Sequence, residues 1–77
     1  MNQAILFNDD LTFDKTEDAW RITALLSGQT ITVYFHSLQL KNLEKLDSCT
    51  KFDLEEAVEI WLEKNELDDD TIHLDIY

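Results

Sequence analysis

Few side chains in this sequence are of types that do chemistry, and their spacing decides what chemistry is open to them. His36 and His73 stand almost half the chain apart, and the one cysteine is Cys49. A tetrahedral zinc cage takes four ligands, usually in close C-x-x-C or H-x-x-x-H pairs, and neither pair occurs. The single glycine, Gly28, excludes a dinucleotide-binding G-x-G-x-x-G and a phosphate-binding P-loop, and there is no G-x-S-x-G elbow. His36 beside Ser37 looks like a base next to a nucleophile, but neighbours on an extended chain point to opposite sides. Ser37 reads as a helix N-cap, and both histidines read as solvent-facing strand residues. Cys49 has Lys51 nearby but also Asp47 and Asp53, so it reads as an incidental thiol rather than an activated one. Asp68, Asp69 and Asp70 offer oxygen ligands of the kind Ca²⁺ or Mg²⁺ takes. Three consecutive aspartates lack the alternation and glycine of an EF-hand loop, however, and read as a solvated turn. No enzyme activity, no catalytic residue, no cofactor and no metal-ligand set is expected.

The carboxylates are more telling in number than in spacing. Against 6 Lys and Arg the chain carries 17 Asp and Glu, a net charge of −11 over 77 residues. Nine of these acids lie between Asp53 and Asp70, opposed there only by Lys64. Phosphate backbones are bound by neutralising charge with Lys and Arg, so direct nucleic-acid binding is not expected, and neither is an anionic membrane surface. A basic protein remains a fitting partner. Within the acidic stretch, Glu55, Glu56, Glu59, Glu63 and Glu66 fall on one side of a helical period, opposite Leu54, Val58, Trp61 and Leu62. Several sit three or four residues apart, each such pair costing a few tenths of a kcal/mol in repulsion. That cost singles out these five glutamates as the candidate partner-binding face. Ile60 and Leu67 lie outside the apolar stripe and raise the alternative of a seam between copies of the chain. A small divalent-metal-binding or hydrolytic protein is a further alternative.

These residues must be positioned by a small number of elements. Ala4 to Phe7 reads as a first strand stopped by Asn8, Asp9 and Asp10, and Leu11 to Asp14 as a second short extended piece. Trp20, Ile22, Ala24 and Leu26 alternate with Arg21, Thr23 and Leu25. After Ser27-Gly28, Ile31, Val33 and Phe35 alternate with Thr32, Tyr34 and His36, which predicts a β-hairpin over 19–36. Leu40, Leu43 and Leu46 then recur at helical spacing behind Ser37, predicting a first helix over about 37–47, with an extended continuation as the alternative because Leu38 and Leu40 also alternate. Asp53 with Glu56 forms a D-x-x-E capping box, predicting a second helix from Asp53 to about Glu66 with Trp61 as its core anchor. Ile72, Leu74 and Ile76 alternate as a last strand over 71–76.

The run Met1-Asn2-Gln3-Ala4-Ile5, with Phe7, Asp9 and Phe13-Asp14, resembles the opening of the small YrdB-like bacterial proteins grouped as domain of unknown function 1488. The similarity continues through Ala24-Leu25-Leu26-Ser27-Gly28 and Asp53-Leu54-Glu55-Glu56. Phe13 stands where the family often has tryptophan. The resemblance implies an α+β fold and a bacterial cytoplasmic setting, and it brings no catalytic residue with it.

The expectation is a single domain over residues 1–77, α+β and two-layered. It has a small, mostly antiparallel sheet with a central β-hairpin and two helices on one face. The lone cysteine fits a reducing cytosol. The N-terminal ten residues have no basic stretch before an apolar run, so no signal peptide is expected. In function the chain reads as an acidic cytoplasmic protein-interaction module. Concentrated negative charge repels itself, and salt screens it. The melting temperature should therefore rise between very low salt and moderate NaCl. A flat or falling response would show that the acids are paired or bound in the folded state.

Overall fold

Two stretches of alternating residues joined by Ser27 and Gly28 build the centre of the fold, β3 (Ala19–Leu26) and β4 (Gln29–His36). They pair antiparallel from Trp20↔Phe35 to Leu26↔Gln29. Ser27 and Gly28 both have positive φ, 51° and 84°, the geometry a two-residue hairpin needs to follow the twist of its strands. The computed structural model describes residues 5–43 and 46–76. Its other strands are β1 (Ile5–Phe7), β2 (Thr12–Asp14) and β5 (Thr71–Asp75), and its α-helix is α1 (Ser48–Lys64). The sheet runs β1-β3-β4-β5, and β2 also pairs with β3. The first three pairings are antiparallel and β5 is parallel to β4. The mixed, mostly antiparallel α+β sheet agrees with the expectation.

One face of this sheet packs against α1. Ile22, Ala24, Leu26, Ile31, Val33, Phe35, Ile72 and Leu74 meet Leu54, Val58 and Leu62 in a single buried cluster. A parallel neighbour needs a crossover longer than a turn, and α1 is carried in that crossover between β4 and β5. The other face of the sheet has no helix over it among the described residues.

Three expectations about the helices are corrected. In place of a first helix over 37–47 there is a single 3-10 turn, Leu40–Asn42, after which Leu43 is extended (φ −89°, ψ 142°). Glu44 and Lys45, within the same expected span, lie outside the described residues, as does Ala4 of the expected first strand. Ser37 does accept the Leu40 N–H through Oγ, at 3.2 Å, but the helical geometry lasts only one turn beyond it. The indole Nε1 of buried Trp20 donates to the Leu40 carbonyl at 2.8 Å. The same carbonyl accepts the Leu43 N–H at 3.1 Å, the i to i+3 bond that closes a 3-10 turn rather than an α-helical one. Among the described residues there is therefore one α-helix, not two.

The second correction concerns where α1 begins. Asp47, not Asp53, is its N-cap, accepting the Thr50 N–H through Oδ1 at 2.8 Å. This hydrogen bond holds the Asp47 carboxyl below its usual pKa. The capping-box pattern at Asp53 falls inside the helix, where backbone N–H groups already have partners. At the other end Asn65 caps the helix, its backbone N–H and side-chain Nδ2 both reaching the Trp61 carbonyl at 2.9 and 3.0 Å. Third, Trp61 is only partly buried at the margin of the core, whereas Trp20 is inside it, edge-on to Phe13 with ring centroids 5.8 Å apart.

Core truncations should respect this placement. Phe35→Ala, at a fully buried position, should cost about 3–5 kcal/mol. Trp61→Ala should cost less, about 1–2 kcal/mol, because part of its ring stays in water in the folded state. Urea denaturation of both variants checks the order, and an equal loss would place Trp61 in the core after all.

Candidate functional site

The five glutamates singled out by helical period do not share one surface. Glu56, Glu59 and Glu63 are exposed on the outer side of α1, away from Leu54, Val58 and Leu62. Glu55 is half-buried on the flank of the helix, one turn after Lys51, and Glu66 lies beyond the Asn65 cap. Lys51 reaches Asp9 at 3.0 Å. That hydrogen bond, against a smaller effect of desolvation, raises Lys51 above the usual lysine pKa, and the charges of Asp9, Glu55 and Asp10 add to it. Two large apolar side chains stand among the outer carboxylates: Phe52, 65% exposed, and Ile60, 43% exposed. The outer face of α1 is therefore acidic and apolar together. The sequence pattern places Phe52 in a connection only because helical phase is counted there from Asp53.

The uncovered face of the sheet gathers residues that are scattered in the sequence. Thr12, Arg21, Tyr34 and His73 lie in one register row across β2, β3, β4 and β5. His36 lies on the same face two residues beyond Tyr34, with Asp75 as its register partner. The only arginine and both histidines are thus brought together. The Tyr34 and His73 rings are stacked, 5.1 Å between centroids and 16° between planes. His36 Nε2 lies 3.0 Å from His73 Nδ1, within hydrogen-bonding distance, with ring planes 24° apart. The Nε of Arg21 is buried without a hydrogen-bond partner. His36 and Asp75 also border a shallow cleft of about 420 Å³, where Lys41 pairs with Asp18 at 3.1 Å. Both histidines do face away from the core, as alternation indicated. Their meeting is not legible from alternation, because it depends on β5 lying beside β4.

Other chemistry-bearing residues have structural partners. The Ser37 hydroxyl is taken by Leu40. Asp69 accepts the Thr71 N–H at 2.8 Å, and the Asp70 carbonyl accepts the Thr32 N–H at 2.8 Å. Cys49 is free and exposed in the first turn of α1. No three His, Cys, Asp or Glu side chains among the described residues are grouped as a ready metal cage, and no helix among them is long and apolar enough to cross a membrane. At the opposite edge of the sheet, Thr23 sits where β3 passes from pairing with β1 to pairing with β2. Its N–H donates to Asp10 Oδ1 at 3.0 Å, its hydroxyl donates to the other Asp10 oxygen and accepts from Asn8, and its carbonyl accepts the Asn8 N–H.

No family model matches the chain, and no curated protein does. Among solved structures, one matches over 96% of this chain and 94% of the other, at 30% identity and a TM-score of 0.69. It is the crystal structure of a protein of unknown function of the DUF1488 family from Shewanella loihica PV-4. The chain belongs to the DUF1488 family. The two DUF1488 proteins share a fold, and the relative is itself of unknown function, so function has to be argued from the surfaces above.

Asp10 supplies a test of the edge geometry. Desolvation pushes its pKa up, but the two Thr23 hydrogen bonds and the charge of Arg21 outweigh that and hold it below the usual aspartate value. A carboxyl whose folded pKa is lowered stabilises the fold above its unfolded value, and that contribution is lost as pH falls through the folded one. Thr23→Val removes the hydroxyl bond and should raise the Asp10 pKa. An NMR titration of the Asp10 carboxyl reads this directly, and the stability cost of the substitution should shrink between pH 7 and pH 3. An unmoved titration would show that the hydroxyl contact does not hold the carboxylate.

Proposed function

We propose that this DUF1488 protein is a non-catalytic interaction module of the bacterial cytoplasm that binds a basic protein through the outer face of α1. The observation that carries this reading is the exposure of Phe52 and Ile60 among Glu56, Glu59 and Glu63 on a helix whose opposite side is fully used by the core. Isolated apolar residues on a surface need no explanation. Two on one helix face, ringed by like charges that repel one another, form a contact with apolar anchors and a charged rim. The complementary partner presents apolar side chains flanked by Lys and Arg. Charge complementarity acts largely on the rate of encounter and on specificity, whereas desolvated apolar anchors supply affinity. The free thiol of Cys49 fits a reducing compartment. Glu59 and Glu63 stand at the centre of the contact, and Glu55 and Glu66 lie at its margins.

The experiment compares three forms of the protein as baits in native cytosolic extract: wild type, Glu59→Lys/Glu63→Lys, and Phe52→Ser/Ile60→Ser. All four positions are outside the core, so the fold should survive, as a thermal melt would show. A partner using this face should be retained by wild type and lost from both variants. With the purified partner, the charge reversal should slow association and flatten its salt dependence, and the apolar pair should speed dissociation. Affinity and salt dependence untouched by the charge reversal would overturn the acidic-face reading. Dissociation of a wild-type dimer by Ile60→Ser, seen by sedimentation, would instead assign the face to a second copy of the chain.

A further inference from the structure

The face of the sheet opposite α1 brings two imidazole nitrogens within reach of a single ion. His36 Nε2 and His73 Nδ1 lie 3.0 Å apart. Two nitrogens bound to one divalent ion at about 2.0–2.1 Å each, at an angle between square-planar and tetrahedral, are separated by about 3 Å. The β4–β5 ladder sets this spacing, because Tyr34↔His73 and His36↔Asp75 are register pairs. The ring centroids of the two histidines lie 5.2 Å apart, so the nitrogens face one another along the hydrogen bond. An ion is bound when each ring turns about its Cβ–Cγ bond to aim its nitrogen at a common point while keeping the nitrogen spacing. Asp75 follows His73 by two residues and so carries a carboxylate on the same face. The net charge of −11 raises the concentration of cations near the surface.

We propose that His36 and His73 form a two-imidazole binding site for a divalent transition-metal ion of the Cu²⁺, Ni²⁺ or Zn²⁺ class. The site is borne on the β4–β5 pair and is separate from the partner face of α1. Imidazole ligands suit these ions, whereas Ca²⁺ and Mg²⁺ take oxygen. In the metal-free pair one of the two facing nitrogens carries the proton of the hydrogen bond. When the ion binds, that histidine moves its proton to its other ring nitrogen, so both facing nitrogens donate lone pairs with no net loss of a proton from the neutral pair. The ion then ties β5 to β4 through side chains as well as backbone, and binding to the folded state alone raises its stability.

The test uses the full chain carrying Cys49→Ser, so that the thiol does not compete, and titrates it calorimetrically with Cu²⁺ and Ni²⁺ alone. Cu²⁺ should bind more tightly than Ni²⁺, and each should raise the melting temperature. His36→Gln and His73→Gln should each weaken Cu²⁺ binding by no less than the roughly 10–100-fold that loss of a mere outer-shell partner costs. The double variant should be little weaker than either single one. Excess Ca²⁺ should not displace Cu²⁺. Electron paramagnetic resonance of the Cu²⁺ complex should show splitting from two imidazole nitrogens. That spectrum is read with both histidines present, so it stands whether or not a variant folds. Affinity unchanged by either histidine substitution, displacement by Ca²⁺, or splitting from a single imidazole would overturn the proposal.

Discussion

The parallel pairing of β5 with β4 is the contact on which the rest of the arrangement depends. Strands that run the same way cannot be joined by a tight turn, so the chain must leave the end of β4 and cross the sheet before it returns. That crossing is made as α1, and α1 supplies Leu54, Val58 and Leu62 to cover Ile22, Ile31, Val33, Phe35 and Ile72. A chain of 77 residues has material for little more than one such cover. The same pairing therefore buries one face of the sheet, leaves the other open, and sets His73 beside Tyr34 and His36.

Charge is accommodated around this frame rather than within it, since no polar or charged side chain among the described residues is fully buried. Two of the six cationic side chains fasten elements at the margin of the core. Lys51, in the first turn of α1, holds Asp9 of the loop between β1 and β2, and Lys41 of the 3-10 turn holds Asp18 at the entry to β3. Exposed pairs of this kind contribute little stability each, about 0–1 kcal/mol, but they fix where loops lie. Neither of these two cations is spent on the carboxylates of the outer face of α1. The loop acids, by contrast, are engaged: Asp9 by Lys51, Asp10 by Thr23, Asp14 by Thr16 and Glu17.

What was legible in the sequence was whatever rests on local periodicity. The hairpin could be read because two alternations flank Ser27 and Gly28, and α1 because Leu54, Val58 and Leu62 recur at helical spacing. Leu40, Leu43 and Leu46 misled because three leucines at helical spacing also suit a turn followed by extended chain. The Trp20 indole on the Leu40 carbonyl fastens that turn to the sheet through a pairing across 20 residues, which local spacing does not show. The start of α1 was misplaced for a related reason. Asp47 and Asp53 are both plausible caps in isolation, and Lys51 and Phe52 break the apolar stripe without breaking the helix. For the candidate surfaces the division is the same. Three carboxylates of the helix face could be read from its period, while the histidine pair required the order of strands.

The run Asp68-Asp69-Asp70 takes its meaning from that order as well. As a sequence it suggests a cation site or a repelling surface, yet its chief bonds are to the sheet. Asp69 caps the Thr71 N–H, and the Asp70 carbonyl accepts from Thr32 at the first rung of the β4–β5 ladder. Successive residues of a strand face opposite ways, so a slip of one position would exchange the two faces of β5. Ile72 and Leu74 would turn to solvent, and Thr71, His73 and Asp75 would turn inward to meet Val58 and Leu62. Burying a carboxylate and an imidazole there without partners costs several kcal/mol, which makes the register steep in energy. The aspartates stand where that register is set, so the residues that look most like a metal site help to place His73 against His36 instead.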